Sequence, residues 1–477
     1  MVETKHDIGY VCLSDTHFGE EDSLLTSVKR GSSLPELDRP SPVLSQLIEC
    51  LKDLIAKNEG DQKPTLILNG DILELALSLT HEAAMVFKRF LELCMPVDQD
   101  QRLFDRLIFI PGNHDHHLWE LARETQYVEY IKRHKVEDLP KEWHTTELFV
   151  ENASNPVPAY FLSGLIKSSA NLENIDIQVV YPNFGMISNN GQKCVLFHHG
   201  HFFEPIYRLV STIKHLLFPE RAKAETVDDI ERENFAWIDF FWSTLGRSSD
   251  AGAAMESIYE HMLHPQHFRK ILLRLARGLA SRYGLPDPFY PLETSFHYMN
   301  LRLVESVIRK SERRNQDAVL SRSTRKGLFD YMETPFLDQI SSELKSEIPS
   351  KVSLVFGHTH KPFQDRLKIK GFPSMVDTYN TGGWVIDTIH RRPLHGAAVV
   401  LMDREFNLCS LRMFNEGYYI PKVEACGGHG LNRNPFYRRI TELVNPYLNP
   451  WKDFSQIVAD EVEIRAQNLL DRLVCWN

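Results

Sequence analysis

Five short apolar runs in this chain end in polar residues of metal-binding type. They are "IGYVCLSDTH" (8–17), "TLILNGD" (65–71), "RLIFIPGNHDHH" (106–117), "CVLFHHGH" (194–201) and "VSLVFGHTH" (352–360). Each is the length of a buried strand. Between the first three lie stretches of helical period. In 42–57 the apolar positions Val43, Leu44, Leu47, Ile48, Leu51, Leu54 and Ile55 share one face, and 82–94 repeats the pattern. Strand, helix, strand in alternation predicts an α/β fold, in which ligands gather at loops that follow strand ends.

The pattern changes after His199. Apolar periodicity predicts helices at 205–218, 227–245, 255–263, 265–284, 298–314 and 335–348, punctuated by prolines. Strands return at 379–386, 397–403 and 408–414, and a helix at 454–473 closes the chain. The expected division is a core in two parts, 1–201 and 350–415, with a helical insertion or cap at 202–349 and a C-terminal arm and helix at 416–477.

Composition changes this picture little. The 477 residues are 43% hydrophobic and 25% charged, enough for a sizeable core. A net charge of −10 disfavours broad nucleic-acid binding. Seven scattered cysteines without a C-x-x-C pair read as buried thiols rather than a zinc site or a disulfide framework. The N-terminal stretch has no signal-peptide core, and no apolar run reaches the roughly 18 residues of a membrane span. A cytoplasmic protein is expected.

The chemistry is expected from the strand ends taken together. Asp15 and His17, Asp71, Asn113, His114 and Asp115, His199, and His358 and His360 each follow an apolar run. Singly, each block has an ordinary reading as a turn acid or a surface histidine. Their order, D-x-H, G-D, G-N-H-D, H-G-H, G-H-x-H, resembles the calcineurin-like metallophosphoesterase superfamily over roughly 7–201 and 350–415.

That resemblance implies a four-layer α/β/β/α sandwich with two divalent metal ions at one edge. Asp15, His17 and His360 would hold one ion, Asn113, His199 and His358 the other, and Asp71 would bridge them. Manganese is a common working metal in the family; iron and zinc suit the same donors. A hydroxide shared by the two ions would attack the phosphorus. His114 would act as proton carrier, oriented by Asp115. His116 and His201 are candidate substrate contacts, with surface or helix-capping roles the plainer reading for His116 and His117.

Within the superfamily, "GDILEL" and "PGNHD" differ from the "GDxxDRG" and "RGNHE" of protein Ser/Thr phosphatases. "SDTHFG", "GHTH" and "NTGGW" are similar to UDP-2,3-diacylglucosamine pyrophosphohydrolases, which usually carry arginine where His114 stands. Three functions follow. The first is hydrolysis of a small or lipid-linked phosphoester or pyrophosphate. The second is a nuclease or phosphodiesterase on nucleic acid. The third is a non-catalytic scaffold such as the retromer subunit of the same fold. A basic amphipathic segment at 267–284, with Phe268, Ile271, Leu272, Leu275 and Leu279 on one face, would fit peripheral contact with an anionic membrane, and the aromatic run 235–242 an acyl or base pocket.

Overall fold

The computed structural model describes residues 6–29, 34–96, 98–139, 142–149, 157–167, 177–244, 318–344, 347–427 and 434–474. The helices expected at 255–263, 265–284 and 298–314, with the basic amphipathic face, lie outside the described residues.

Two sheets stack. In chain order the strands are β1 (Ile8–Leu13), β2 (Thr65–Asn69), β3 (Arg106–Ile110), β4 (Val157–Pro158), β5 (Ile177–Val179), β6 (Asn183–Ile187), β7 (Lys193–His198), β8 (Lys351–Phe356), β9 (Phe363–Leu367), β10 (Val376–Asn380), β11 (Gly396–Asp403), β12 (Leu408–Asn415) and β13 (Lys422–Glu424). The first sheet has the order β13-β12-β11-β1-β2-β3-β5-β4 and the second β6-β7-β8-β10-β9. Strands β1, β2 and β3 are parallel neighbours, with Leu13 opposite Leu68 and Asn69 opposite Ile110. Strands β7 and β8 are parallel too, with Phe197 opposite Val355. Parallel pairing in register brings like ends together, so all five ligand-bearing strand ends are C-terminal ends on one edge.

Strand alternation explains the layers, because successive side chains point to opposite faces. Cys12, Ile67 and Ile108 face the second sheet and meet Val195, Phe197 and Val355 there. Val11, Leu13, Leu66, Leu68, Leu107 and Phe109 face the other way. Helices α1 (Pro42–Ile55), α2 (Thr80–Cys94) and the C-terminal α10 (Trp451–Val474) cover them, through Leu47, Leu51, Phe87, Phe90, Trp451 and Phe454. Helix α1 starts where Ser41 accepts a hydrogen bond from the Leu44 amide and Pro42 takes the first turn. Helix α9 (Pro435–Leu443) packs on the same side.

The fourth layer comes from the segment between β7 and β8. Every described element there is helical, including α5 (Leu209–Leu217), α6 (Val227–Ile238), α7 (Arg322–Tyr331) and α8 (Leu337–Leu344). Cys194, Leu196, Val352 and Leu354 on the outer face of the second sheet pack with Leu328, Tyr331, Met332, Phe336 and Ile340, each at most 1% exposed. At about 1.5–3 kcal/mol per buried side chain, these five are worth on the order of 10 kcal/mol. The boundaries drawn in the sequence at 202 and 349 therefore do not separate two independent cores.

Two elements differ from the sequence pattern. The strand expected at 379–386 is Val376–Asn380, because Asn380 turns its side chain to the Gly357 carbonyl and the Gly382 amide and ends the strand. Helix α3 (His116–Arg133) went unnoticed. Only Leu118, Trp119 and Ala122 supply it with buried apolar surface, too few to give a helical period. A further short helix among the described residues is α4 (Tyr160–Lys167).

Candidate metal centre

Backbone conformation marks the site first. Six non-glycine residues among those described have positive φ: Asp15, His17, Asp71, His358, His360 and Phe406. Five of the six are expected metal ligands. Left-handed backbone at a non-glycine residue costs free energy and persists where surrounding structure holds it. The adjoining glycines make room: a Cβ on Gly70 would lie 2.3 Å from His199 Nδ1, and one on Gly357 2.1 Å from Asp15 Oδ2. The loops are tied to each other as well. The His358 amide donates to Asp15 Oδ1 at 2.8 Å, the His114 amide to Asp71 Oδ1 at 2.8 Å, and the Trp384 amide to the Asp15 carbonyl at 3.0 Å.

The expected ligands come together in two buried groups. Asp15, His17 and His360 have donor atoms within 4.8 Å of one another, and so do Asp71, His199 and His358. Asp71 stands between the groups: its Oδ2 is 3.0 Å from His199 Nε2 and 3.8 Å from His17 Nε2. Burial alone would raise the Asp71 pKa, but His199, His114 and His17 hold it well below the ordinary value.

Each ring has one nitrogen occupied by the protein. His17 Nδ1 is 2.7 Å from Glu74 Oε2, His360 Nδ1 2.7 Å from Asp387 Oδ2, His199 Nδ1 3.1 Å from the Asn69 carbonyl, and His358 Nε2 2.7 Å from Glu204 Oε1. Such partners fix tautomer and ring orientation, as outer-shell groups do for metal-ligating histidines. Glu74, Asp387, Glu204 and Asn69 were missed in the sequence. Only Glu74 had a local signal, a carboxylate three residues beyond Asp71 in "GDILE".

Two divalent ions fit this donor set. Asn113 is fully buried with neither amide atom hydrogen-bonded, and His358 Nδ1 is also buried without a hydrogen-bond partner. Leaving such atoms unsatisfied is costly, and a cation would satisfy them. Imidazoles with carboxylates and an amide oxygen suit a borderline divalent metal.

The structure corrects the role of Asp115. Its oxygens accept from the backbone: Oδ1 from Gly112 at 2.6 Å, Oδ2 from Ile72 at 2.8 Å and Leu73 at 3.2 Å. It locks the loop after β3 to the loop after β2. The carboxylate at His114 is Glu74, whose Oε1 is 3.0 Å and Oε2 2.7 Å from His114 Nδ1. Glu74 thus serves a ligand ring and the expected proton carrier together. Glu74→Gln should cost about 10–100-fold in metal affinity or turnover, the usual toll of an outer-shell change. Metal titration and kcat measure this, and wild-type values in both would mean other groups hold the two rings.

His116 and His201, read as candidate substrate contacts, are fully buried and bonded to protein groups. His116 Nε2 is 2.7 Å from Glu231 Oε1. Burial opposes its charge, but Glu231 and Asp239 outweigh burial and push its pKa up to about 10. His201 Nε2 is 3.2 Å from the Tyr181 hydroxyl, and burial keeps its pKa well below the ordinary value. His117 is half-buried, with Nδ1 3.0 Å from Asp239 Oδ1.

Comparison with known proteins agrees with this geometry. Residues 10–240 match the calcineurin-like phosphoesterase family model. No curated protein matches the chain. The match spans four of the five ligand loops, and the fifth, at 357–360, joins them at the same edge. Residues 10–240 thus form a calcineurin-like phosphoesterase domain, which indicates a metal-dependent phosphoester hydrolase.

Proposed function

We propose that this enzyme hydrolyses a phosphoester or pyrophosphate bond in a small or lipid-linked molecule, with Mn²⁺ as its working metal. We further propose that the described part of the 202–349 segment caps the site and supplies one wall of the substrate pocket. The observation that carries this is the contact between that segment and the ligand loops. The Tyr207 ring lies 5.2 Å from the His358 ring, Trp242 5.2 Å from Tyr207, and Phe241 packs on both Trp242 and Trp237. Ser243 Oγ donates to the His114 carbonyl at 3.2 Å and accepts from the His117 amide at 2.9 Å. An aromatic wall running to a metal ligand supports an apolar or stacking substrate group beside the scissile phosphate.

Bound divalent ions would supply Lewis acidity and an activated water. The chain's own part is to hold the ligand rings, orient His114 through Glu74, and keep water from the apolar wall. His114 Nε2 then carries the proton that the leaving oxygen needs.

No described helix is long and apolar enough to cross a membrane. Leu217, Phe218 and Phe240 are nonetheless 66%, 43% and 63% exposed on the same segment. Exposed apolar side chains there support access to a lipid-linked substrate at a membrane surface. The test is a panel with Mn²⁺: bis-p-nitrophenyl phosphate, UDP-linked lipids, cyclic nucleotides and single-stranded DNA. Turnover of the diester and of a UDP-linked lipid is expected. Preferential cleavage of DNA would favour the nuclease reading, and no turnover with two metals bound would favour the scaffold.

A further inference from the structure

A second buried polar cluster lies beside the metal centre. Glu231, on α6, is fully buried and its two oxygens go to different places. Oε1 is 2.7 Å from His116 Nε2, and Oε2 accepts from the Tyr181 hydroxyl at 3.0 Å. The same hydroxyl is 3.2 Å from His201 Nε2. A hydroxyl that donates to Glu231 must accept from His201, so the bonds run one way: His201 Nε2–H to Tyr181, Tyr181 O–H to Glu231. His116 N–H reaches Glu231 from the other side. Aligned bonds of this kind strengthen one another in a dry interior.

The ends of this chain are informative. His116 begins α3, three residues after Asn113, in the loop that carries the proton carrier His114. His201 stands two residues after His199, and the two rings are 5.7 Å apart. Both loops contribute to the Asn113, His199 and His358 side of the centre. The Tyr181 ring is itself fixed by stacking on Trp119 at 5.4 Å.

The geometry points to Glu231 as a positioning residue, one carboxylate through which the capping segment sets the spacing of the 111–117 and 198–203 loops and so of one metal site. A competing use of the cluster is a third cation site, since His116, Glu120 and Glu231 have donor atoms within 4.8 Å. Charge argues against it. Glu120 already has the Arg123 guanidinium at 2.6 Å, and His116 lies between Glu231 and Asp239. The inference rests on the dinuclear reading but not on any particular substrate.

The test is stepwise Mn²⁺ titration of wild-type protein, Glu231→Gln and Tyr181→Phe, followed by calorimetry and Mn²⁺ electron paramagnetic resonance. Gln keeps the shape of Glu231, and Phe removes only the hydroxyl. Affinity for one of the two ions should fall by about 10-fold or more in both variants while the other holds, as for outer-shell changes elsewhere. On bis-p-nitrophenyl phosphate, kcat should fall with little change in KM. Unchanged affinities and kcat, with only a lower melting temperature, would reduce Glu231 to a structural clip. A third ion in wild type that Glu231→Gln loses would make the cluster a metal site and overturn the inference. If the affinity pattern appears but wild type hydrolyses nothing in the panel, the proposed function fails and the positioning role stands.

Discussion

Asp71→Asn should abolish turnover and break the pairing of the two ions. Asp71 is fully buried, and its Oδ2 faces a histidine from each ligand group. Two divalent cations a few ångströms apart would repel one another strongly, and a carboxylate between them would offset this. Asparagine keeps the size and one acceptor but loses the charge. Metal clamping is worth several kcal/mol of transition-state stabilisation. At 1.36 kcal/mol per tenfold, its loss corresponds to roughly 10³-fold or more in kcat. Protein prepared with Mn²⁺ should show two anomalous-scattering peaks in wild type and fewer than two at full occupancy in the variant. A wild-type map with a single peak, or with no ion beside Asp71, would end the dinuclear mechanism.

His114→Ala should lower kcat by roughly 10²–10⁴-fold, the span of a lost general acid or base. Both metals should stay bound, because the two ligand groups do not need this ring. The Glu74 contact gives the reason for the large effect. With Nδ1 held at 3.0 Å from Glu74 Oε1, the ring's tautomer and direction are set before substrate arrives. The measurement is kcat beside metal content on the same preparation. If occupancy falls in step with activity, His114 is a ligand rather than a proton carrier.

The two changes separate binding from chemistry. On the proposed roles, Asp71→Asn would act on the ions and His114→Ala on the proton. Activity of His114→Ala on an ester with a very acidic leaving group should recover in part, since such a group departs without a proton. No such recovery is expected for Asp71→Asn.

Much of the centre was legible in the sequence because ligands on strand ends travel with their strands. A run such as "TLILNGD" declares both the strand and the residue that follows it. Parallel neighbours then put Asp15, Asp71 and Asn113 at one edge with no further information. The family resemblance supplied the grouping, and the structure places the histidines and acids of each group together. The α/β layering was legible for the same reason, since period-two and period-3.6 patterns are local.

What the sequence did not disclose was contributed from a distance. Glu204, Asp387 and Glu231 orient or tie site histidines from 154, 27 and 115 residues away. A carboxylate beside a histidine carries no mark of that role in its own neighbourhood. Asp115 was misread for the complementary reason. It adjoins His114 in sequence, but successive residues of a loop point different ways, and its oxygens turn to the backbone amides of 72, 73 and 112. The helices of 322–344 read as part of a separate insertion because an apolar face does not say what it covers. Only the tertiary structure decides that it covers the second sheet. Local pattern therefore determined the strands, the helices and the ligand loops, whereas partner choice among side chains far apart in sequence awaited the packing that brings them within hydrogen-bond reach.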